Sequence, residues 1–449
     1  MVLTAIVIRG VASVEGSLSG RLRGVIRGRV IMYGPLVKVL ERIIRQGDLK
    51  VVDGEGRLHR FGDGLAPSVT VRIHDSATER AIAFDPQLAL PEAYMHGAFT
   101  VEDGGRIYEF LDLMLQNAQM EELPAWSRAF DAFRFVTRRI RQFNPPSRSK
   151  RNVAHHYDLD GALYDLFLDK DRQYSCAYFE PGNTDLEEAQ LAKKRHIAAK
   201  LMLRQGQRVL DIGSGWGGLG LYLGRIANVE VTGITLSQEQ LTVARARAAE
   251  QKLDKPVRFK MQDYRRVAGP YERVVSVGMF EHVGVNHYAT YFRKLRELMT
   301  DDGVAVLHSI GRSDPPSATS AFIAKYIFPG GYIPSLSEVL PAIEKSGLYV
   351  TDVEILRLHY AETLREWRRR FLANWPKAAE RMGEEFCRMW EFYLAGSETS
   401  FRYQNLMVFQ IQLSKKVGTV PLTRDYMLEE ERRLKARDAG AYATRLAGE

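Results

Sequence analysis

The sequence predicts a doubly wound α/β domain built on a seven-stranded sheet, preceded by a smaller N-terminal α+β domain. Three observations carry this. From about residue 200 onward, short apolar runs of strand length alternate with helical stretches, the pattern of a parallel sheet covered by helices on both faces. The run Val209-Leu210-Asp211-Ile212-Gly213-Ser214-Gly215-Trp216-Gly217-Gly218 closes an apolar strand with glycines and passes into a helix over Leu219–Ile226. The first 125 residues instead mix strand-like runs with turn signals.

In chain order, residues 1–125 carry the turns Asp53-Gly54-Glu55-Gly56, Gly62-Asp63-Gly64 and Asp103-Gly104-Gly105, an alternating strand at Val69–His74, and helical spacing at Leu36–Ile44 and Ile107–Leu115. No catalytic motif stands out there. Residues 126–155 form a basic connector, with Phe130, Phe133, Phe135 and Phe143 among Arg134, Arg138, Arg139, Arg141, Arg148, Lys150 and Arg151. Pro145-Pro146 ends any helix within it. It reads either as a solvated linker or as a contact with an anionic membrane, where each basic residue contributes about 1 kcal/mol. Residues 156–420 carry the strands Arg208–Ile212, Val229–Ile234, Val257–Met261, Arg273–Val277, Val304–His308, Tyr349–Leu356 and Met407–Lys415. The helices between them include Gln238–Ala249, Tyr288–Leu298 and Ser337–Lys345. Residues 421–449 read as a charged helical tail.

The net charge of +8 over 449 residues points to an anionic partner. Nucleic acid is disfavoured, because no base-reading module accompanies the basic run. Two cysteines, Cys176 and Cys387, exclude a disulfide framework and fit a reducing compartment. The apolar opening Met1–Ile8 is too short to span a bilayer, and no later run is long enough. The expectation is a soluble or peripheral protein.

The candidate site follows strand ends. Gly213 and Gly215 let backbone approach a ligand closely, and the helix behind them offers unpaired N–H groups. No acid stands at the end of the second strand, which argues against an ordinary dinucleotide site; Thr235, Ser237 and Gln240 are placed to bond ribose hydroxyls instead. Ser237 is equally suited to cap the next helix. Asp263 can accept from an adenine amino group while Tyr264 packs on the ring, or Asp263 is simply a turn residue. Glu281 and His282 lie just past the fourth strand, and an acid among Met279, Phe280 and Val283 needs a partner. His308, at the end of the fifth strand, is expected beside Glu281. Cys176 precedes a charged helix and reads as a small buried hydrophobe more readily than as a catalytic thiol.

Taken in order, YSCAYF (174–179), VLDIGSGWGG (209–218), GITLSQEQ (233–240), MQDYR (261–265), VSVGMFEHVG (275–284), LHSIG (307–311), FPGGYIPS (328–335) and LHYAETLREWRRRF (358–371) closely resemble the cyclopropane-fatty-acyl-phospholipid synthases, a family that includes the mycolic acid cyclopropane synthases. The resemblance covers roughly residues 150–420. It implies the Rossmann-like class I methyltransferase fold, dependence on S-adenosylmethionine (SAM), and a smaller lipid-associated N-terminal domain. It implies donor contacts at Tyr174, Ser175, Asp211, Gly213, Gly215, Gly217, Thr235, Leu236, Ser237, Gln240, Asp263 and Tyr264, and no metal. It further implies a bicarbonate ion held by Glu281, His308, Tyr360 and the backbone amides of Cys176 and Ile310. The implied reaction is methyl transfer to the cis double bond of an unsaturated phospholipid acyl chain, then ring closure. The enzyme is expected in the cytoplasm, peripheral to the inner face of the cell membrane; a homodimer is left open. The competing readings are a lipid methyltransferase that leaves a methyl branch, a methyltransferase for a polar small molecule or RNA base, and a non-catalytic lipid carrier. A mid-chain double bond requires an apolar tunnel. The segment Phe322–Ile333 and the stripe Leu364, Trp367, Phe371 and Trp375 are candidates for its lining, although core packing explains the stripe equally.

Overall fold

A computed structural model describes residues 32–118 and 161–446, in two compact units. The connector 126–155 lies outside the described residues. The first unit gathers the described residues up to Ala118 together with Ser317–Ile327 and Phe371–Gln404. Its sheet has the order β2-β1-β3-β4, from β1 (Asp48–Val52), β2 (Leu58–Gly62), β3 (Ser68–Ile73) and β4 (Phe99–Val101). Helix Gly34–Ile43 buries Leu36, Val39, Leu40 and Ile43, an i, i+3, i+4, i+7 stripe. Asp75 caps helix Ser76–Phe84 by accepting from Thr78 N at 2.8 Å.

This division differs from the sequence-based boundaries. Residues 317–327 and 371–404 belong with the N-terminal unit because buried polar and aromatic pairs tie them there. Tyr94 Oη donates to Glu391 at 2.8 Å, Phe322 packs edge-on against Phe392 at 5.3 Å, and Lys325 Nζ and Tyr326 Oη each meet Glu92 at 2.7 Å.

The second unit holds a seven-stranded sheet of order β10-β11-β9-β8-β5-β6-β7. It uses β5 (Arg208–Ile212), β6 (Glu230–Thr235), β7 (Val257–Met261), β8 (Tyr271–Val277), β9 (Met299–Arg312), β10 (Tyr349–Leu356) and β11 (Leu406–Ser414). The five strands β5 to β9 run parallel, and β11 inserts antiparallel between β9 and β10. One face packs helices Tyr288–Leu298 and Leu336–Glu344 through Phe292, Leu295, Val339 and Ile343. The other packs helices Leu186–Leu201, Gly218–Ala227 and Gln238–Glu250. The tail helix Asp425–Leu446 joins that second face: Leu434 is 1% exposed within its core cluster, and Arg195 meets Asp438 at 3.2 Å. It is therefore part of the catalytic-type unit rather than a separate tail.

Seven strands fall where the hydrophobic pattern places them. β9 is much longer than the expected Val304–His308, because β11 pairs along it from Leu406↔Arg312 to Ser414↔Val304. His308 consequently sits inside the strand, opposite Gln410, and not at its end.

Candidate active site

A cleft lies over the ends of β5, β6, β7 and β8. Tyr174, Ser175, Asp211, Gly213, Gly215, Thr235, Leu236, Gln240, Asp263 and Tyr264 all line it. Ten of the twelve donor positions named from sequence are thus brought together. Gly213 has φ +85°, and a Cβ there would stand 2.8 Å from Met279 Cβ, so only glycine keeps this wall open.

The other two do different work. Gly217 has φ +86°, and a Cβ would strike Phe259 Cζ at 2.8 Å and Ala244 Cβ at 2.9 Å. It lets helix Gly218–Ala227 seat on the sheet and does not line the cleft. Ser237 caps helix Gln238–Glu250, its Oγ accepting from Gln240 N at 3.3 Å. It is fully buried and supplies no cleft contact.

The cleft carries two unlike carboxylates. Burial pushes Asp211 up to about 7, only partly offset by the charge of Lys193, and among the described residues its Oδ2 has no hydrogen-bond partner. Burial also acts on Asp263, but Arg265 outweighs it through bonds of 2.9 and 2.6 Å and holds that carboxyl below its ordinary range. Tyr264 lies edge-on to Tyr291 at 5.3 Å. Tyr174 stacks on Trp367 at 5.1 Å and meets the edges of Tyr164 and Phe167.

The five positions assigned to an anion resolve into three groups. Glu281 is 8% exposed and accepts from Ile310 N at 2.7 Å, while among the described residues its Oε2 has no partner. Burial drives it up to about 7, against the opposing pull of the Ile310 amide. The Ile310 amide expected to face an anion is thus given to Glu281: a buried carboxyl needs a donor, and the adjoining strand provides one. His308, buried on β9, has Nδ1 3.1 Å from Gln410 Nε2. Gln410 Oε1 accepts from Lys200 at 2.8 Å, which turns the amide nitrogen toward His308, so Nδ1 accepts and Nε2 carries the proton. Burial, with Lys193 and Lys200 nearby, holds His308 neutral, well below its ordinary value. Cys176 and Tyr360 form the third group. Ala177 N donates to Thr363 at 3.0 Å, which ties the Cys176 segment to helix His359–Ala373, on which Tyr360 stands edge-on to Trp367 at 5.8 Å. The Cys176 thiol is buried and pushed far up by burial, so it is not a thiolate.

Sequence reasoning missed several groups. Arg172 lines the cleft with its guanidinium over Trp216 at 5.2 Å. Gln410 and Lys200 orient His308, and Lys193 lies buried behind Ser175. The charged run Lys193-Lys194-Arg195-His196 is buried at all four positions. The tunnel candidates divide. Trp367 is fully buried against Tyr174 and Phe167. Leu364 and Phe371 are fully buried, as core packing requires, and Phe322–Ile333 contributes nothing to this cleft.

A family model described as mycolic acid cyclopropane synthetase matches residues 145–411. The cyclopropane-fatty-acyl-phospholipid synthase of Escherichia coli strain K12 is 35% identical over 357 residues, covering 79% of this chain and 90% of that protein. The tuberculostearic acid methyltransferase UfaA1 of Mycobacterium tuberculosis is 34% identical over 395 residues, covering 84% and 90%. The crystal structure of mycolic acid cyclopropane synthase CmaA1 complexed with SAH and CTAB matches with a TM-score of 0.57 at 33% identity, covering 61% of this chain and 99% of that one. The seven-stranded unit is accordingly a class I SAM-dependent methyltransferase fold. The chain belongs to the mycolic acid cyclopropane synthetase family.

Proposed function

We propose that this chain moves the methyl of SAM onto the cis double bond of an unsaturated phospholipid acyl chain and closes a cyclopropane ring, with bicarbonate as the base. The observation that carries the reading is Glu281: a buried carboxyl, half satisfied, on the loop of β8 next to residues that line the cleft. A half-satisfied buried carboxyl calls for an explanation, and a guest that completes its bonding supplies one.

The residues fit both absent molecules. The cleft wall that a Cβ at Gly213 would close, and the unpartnered Asp211 Oδ2, suit a nucleoside donor. Glu281, the neutral His308 N–H, the Tyr360 hydroxyl and the Cys176 amide would hold bicarbonate. When bound, the sulfonium supplies an electrophilic methyl and the bicarbonate a mild base. Everything else falls to the chain. Glu281, near pH 7, can carry the proton that lets it donate as well as accept. His308, locked by Gln410, only donates through Nε2. Tyr174, which lines the cleft and is backed by Tyr164, Phe167 and Trp367, would help exclude the water that would trap a carbocation.

The net charge of +8 supports action at an anionic membrane surface, on the cytoplasmic side. A second reading, a methyl-branched product, is favoured by the similarity to the tuberculostearic acid methyltransferase. The test is kinetic. Glu281→Gln and Tyr360→Phe are expected to lower kcat by about tenfold or more while the Kd for S-adenosylhomocysteine stays within about twofold of wild type. Loss of donor affinity in both variants would overturn their assignment.

A further inference from the structure

Lys193 is a fully buried ammonium that the proposed reaction leaves unused. It sits on helix Leu186–Leu201 with 1% of its surface exposed. Its Nζ lies 2.7 Å from Gln173 Oε1 and 2.8 Å from Ser175 Oγ, and both residues line the cleft. Among the described residues no carboxylate stands within 4.0 Å of it, whereas its neighbour Lys194 pairs with Asp171 at 2.6 Å. A buried cation bonded only to neutral groups is costly unless it answers a negative charge elsewhere.

The bonding rules fix what it does to its neighbours. An ammonium only donates, so Gln173 Oε1 and Ser175 Oγ must both accept. Gln173 is then left with its amide nitrogen toward Asp171 Oδ2, at 3.0 Å. Ser175 keeps one proton that cannot return to Lys193. Its backbone is pinned as well, because Gln190 Nε2 donates to the carbonyls of Ser175 and Gln173 at 3.0 and 3.3 Å.

We propose that Lys193 is a positioning residue that aims the Ser175 hydroxyl into the cleft as a hydrogen-bond donor, so that the two recognise the carboxylate of the donor's aminoacyl end. This rests on the SAM-dependent reading above. Recognition of that carboxylate by a hydroxyl backed by a buried cation gives a charge-assisted bond, and one that a donor lacking the aminoacyl arm does not form.

Calorimetry with two ligands separates this from a structural role. S-adenosylhomocysteine carries the carboxylate; 5′-methylthioadenosine shares the nucleoside and sulfur but not the arm. Lys193→Met is expected to weaken S-adenosylhomocysteine about tenfold to hundredfold, the range for one hydrogen bond to a charged group, and to leave 5′-methylthioadenosine within about twofold. Ser175→Ala should do the same, and the double variant should be no worse than either single change. Burial lowers Lys193 to about 8, with Asp169, Asp171, Lys194, Cys176, Asp211 and His308 the charged and titratable groups around it. Affinity of the wild type for S-adenosylhomocysteine should therefore fall above about pH 8, and that fall should vanish in Lys193→Met. Parallel weakening of both ligands, or none, in variants whose melting shows them folded would overturn the proposal. Should Lys193→Met not fold, Ser175→Ala alone decides on the same two ligands. A wild type that binds neither would instead overturn the SAM-dependent reading beneath it.

Discussion

Glu281 is held where its charge is unwelcome, and that has a measurable cost. Its folded value near 7 stands above the ordinary 4.5, so the folded chain binds this proton more tightly than the unfolded one. The penalty is absent below pH 4.5 and grows as pH rises, to about 3 kcal/mol above pH 7. Glu281→Gln should therefore melt higher than wild type at pH 8 and nearly with it at pH 4.5, while losing activity. An equal gain at both pH values would mean that the carboxyl is not strained by burial. Residues of this kind were legible by type: Glu281 stood out as an acid among apolar neighbours. Its donor did not, since the bond from Ile310 depends on β9 lying beside the loop after β8. Ser237 could be read as a cap or a ligand from sequence, and only the bond to Gln240 N decides for the cap.

At the scale of elements, the parallel strands were plain because each is a short apolar run closed by turn residues. β5, β7 and β10 match their expected bounds. The start of β9 was hidden by Thr300-Asp301-Asp302-Gly303, which reads as a turn. Helix Leu186–Leu201 is harder to place from its sequence. It carries a charged run, yet it packs between the sheet and the tail helix, where Arg195 and His196 meet carboxylates while Lys193 bonds only neutral groups. Its end is closed by Arg273, 6% exposed, whose guanidinium donates to the carbonyls of Leu201 and Met202. Arg273→Met should cost about 2–3 kcal/mol in urea unfolding, because those carbonyls lose their donor, with donor affinity unchanged. Unchanged stability would show that the helix end is satisfied in another way.

For the whole molecule the question is how the cleft reaches an acyl chain. Among the described residues no helix is long and apolar enough to cross a membrane. Each methylene withdrawn from a bilayer into water costs about 0.8 kcal/mol, so a run of about ten costs roughly 8 kcal/mol and must be offset by contact with protein. On the proposed reading, basic residues near an anionic surface would keep the enzyme at hand. Replacing Arg138, Arg139, Arg141 and Arg148 with glutamine should weaken binding to anionic vesicles several-fold at low salt and less at high salt. Equal binding would leave the connector as a linker. The connector is legible in the sequence only as charge and composition. The grouping of 317–327 and 371–404 with the N-terminal unit was not legible at all, because pairs such as Tyr94 and Glu391 are set by contacts almost 300 residues apart. Ring closure requires removal of a proton from the transferred methyl. Incubation with unsaturated phospholipid and SAM bearing a fully deuterated methyl tests it most directly. The expected product retains two of the three deuterons and resists mild hydrogenation. A product that retains all three would contradict it and would establish a methyl branch instead.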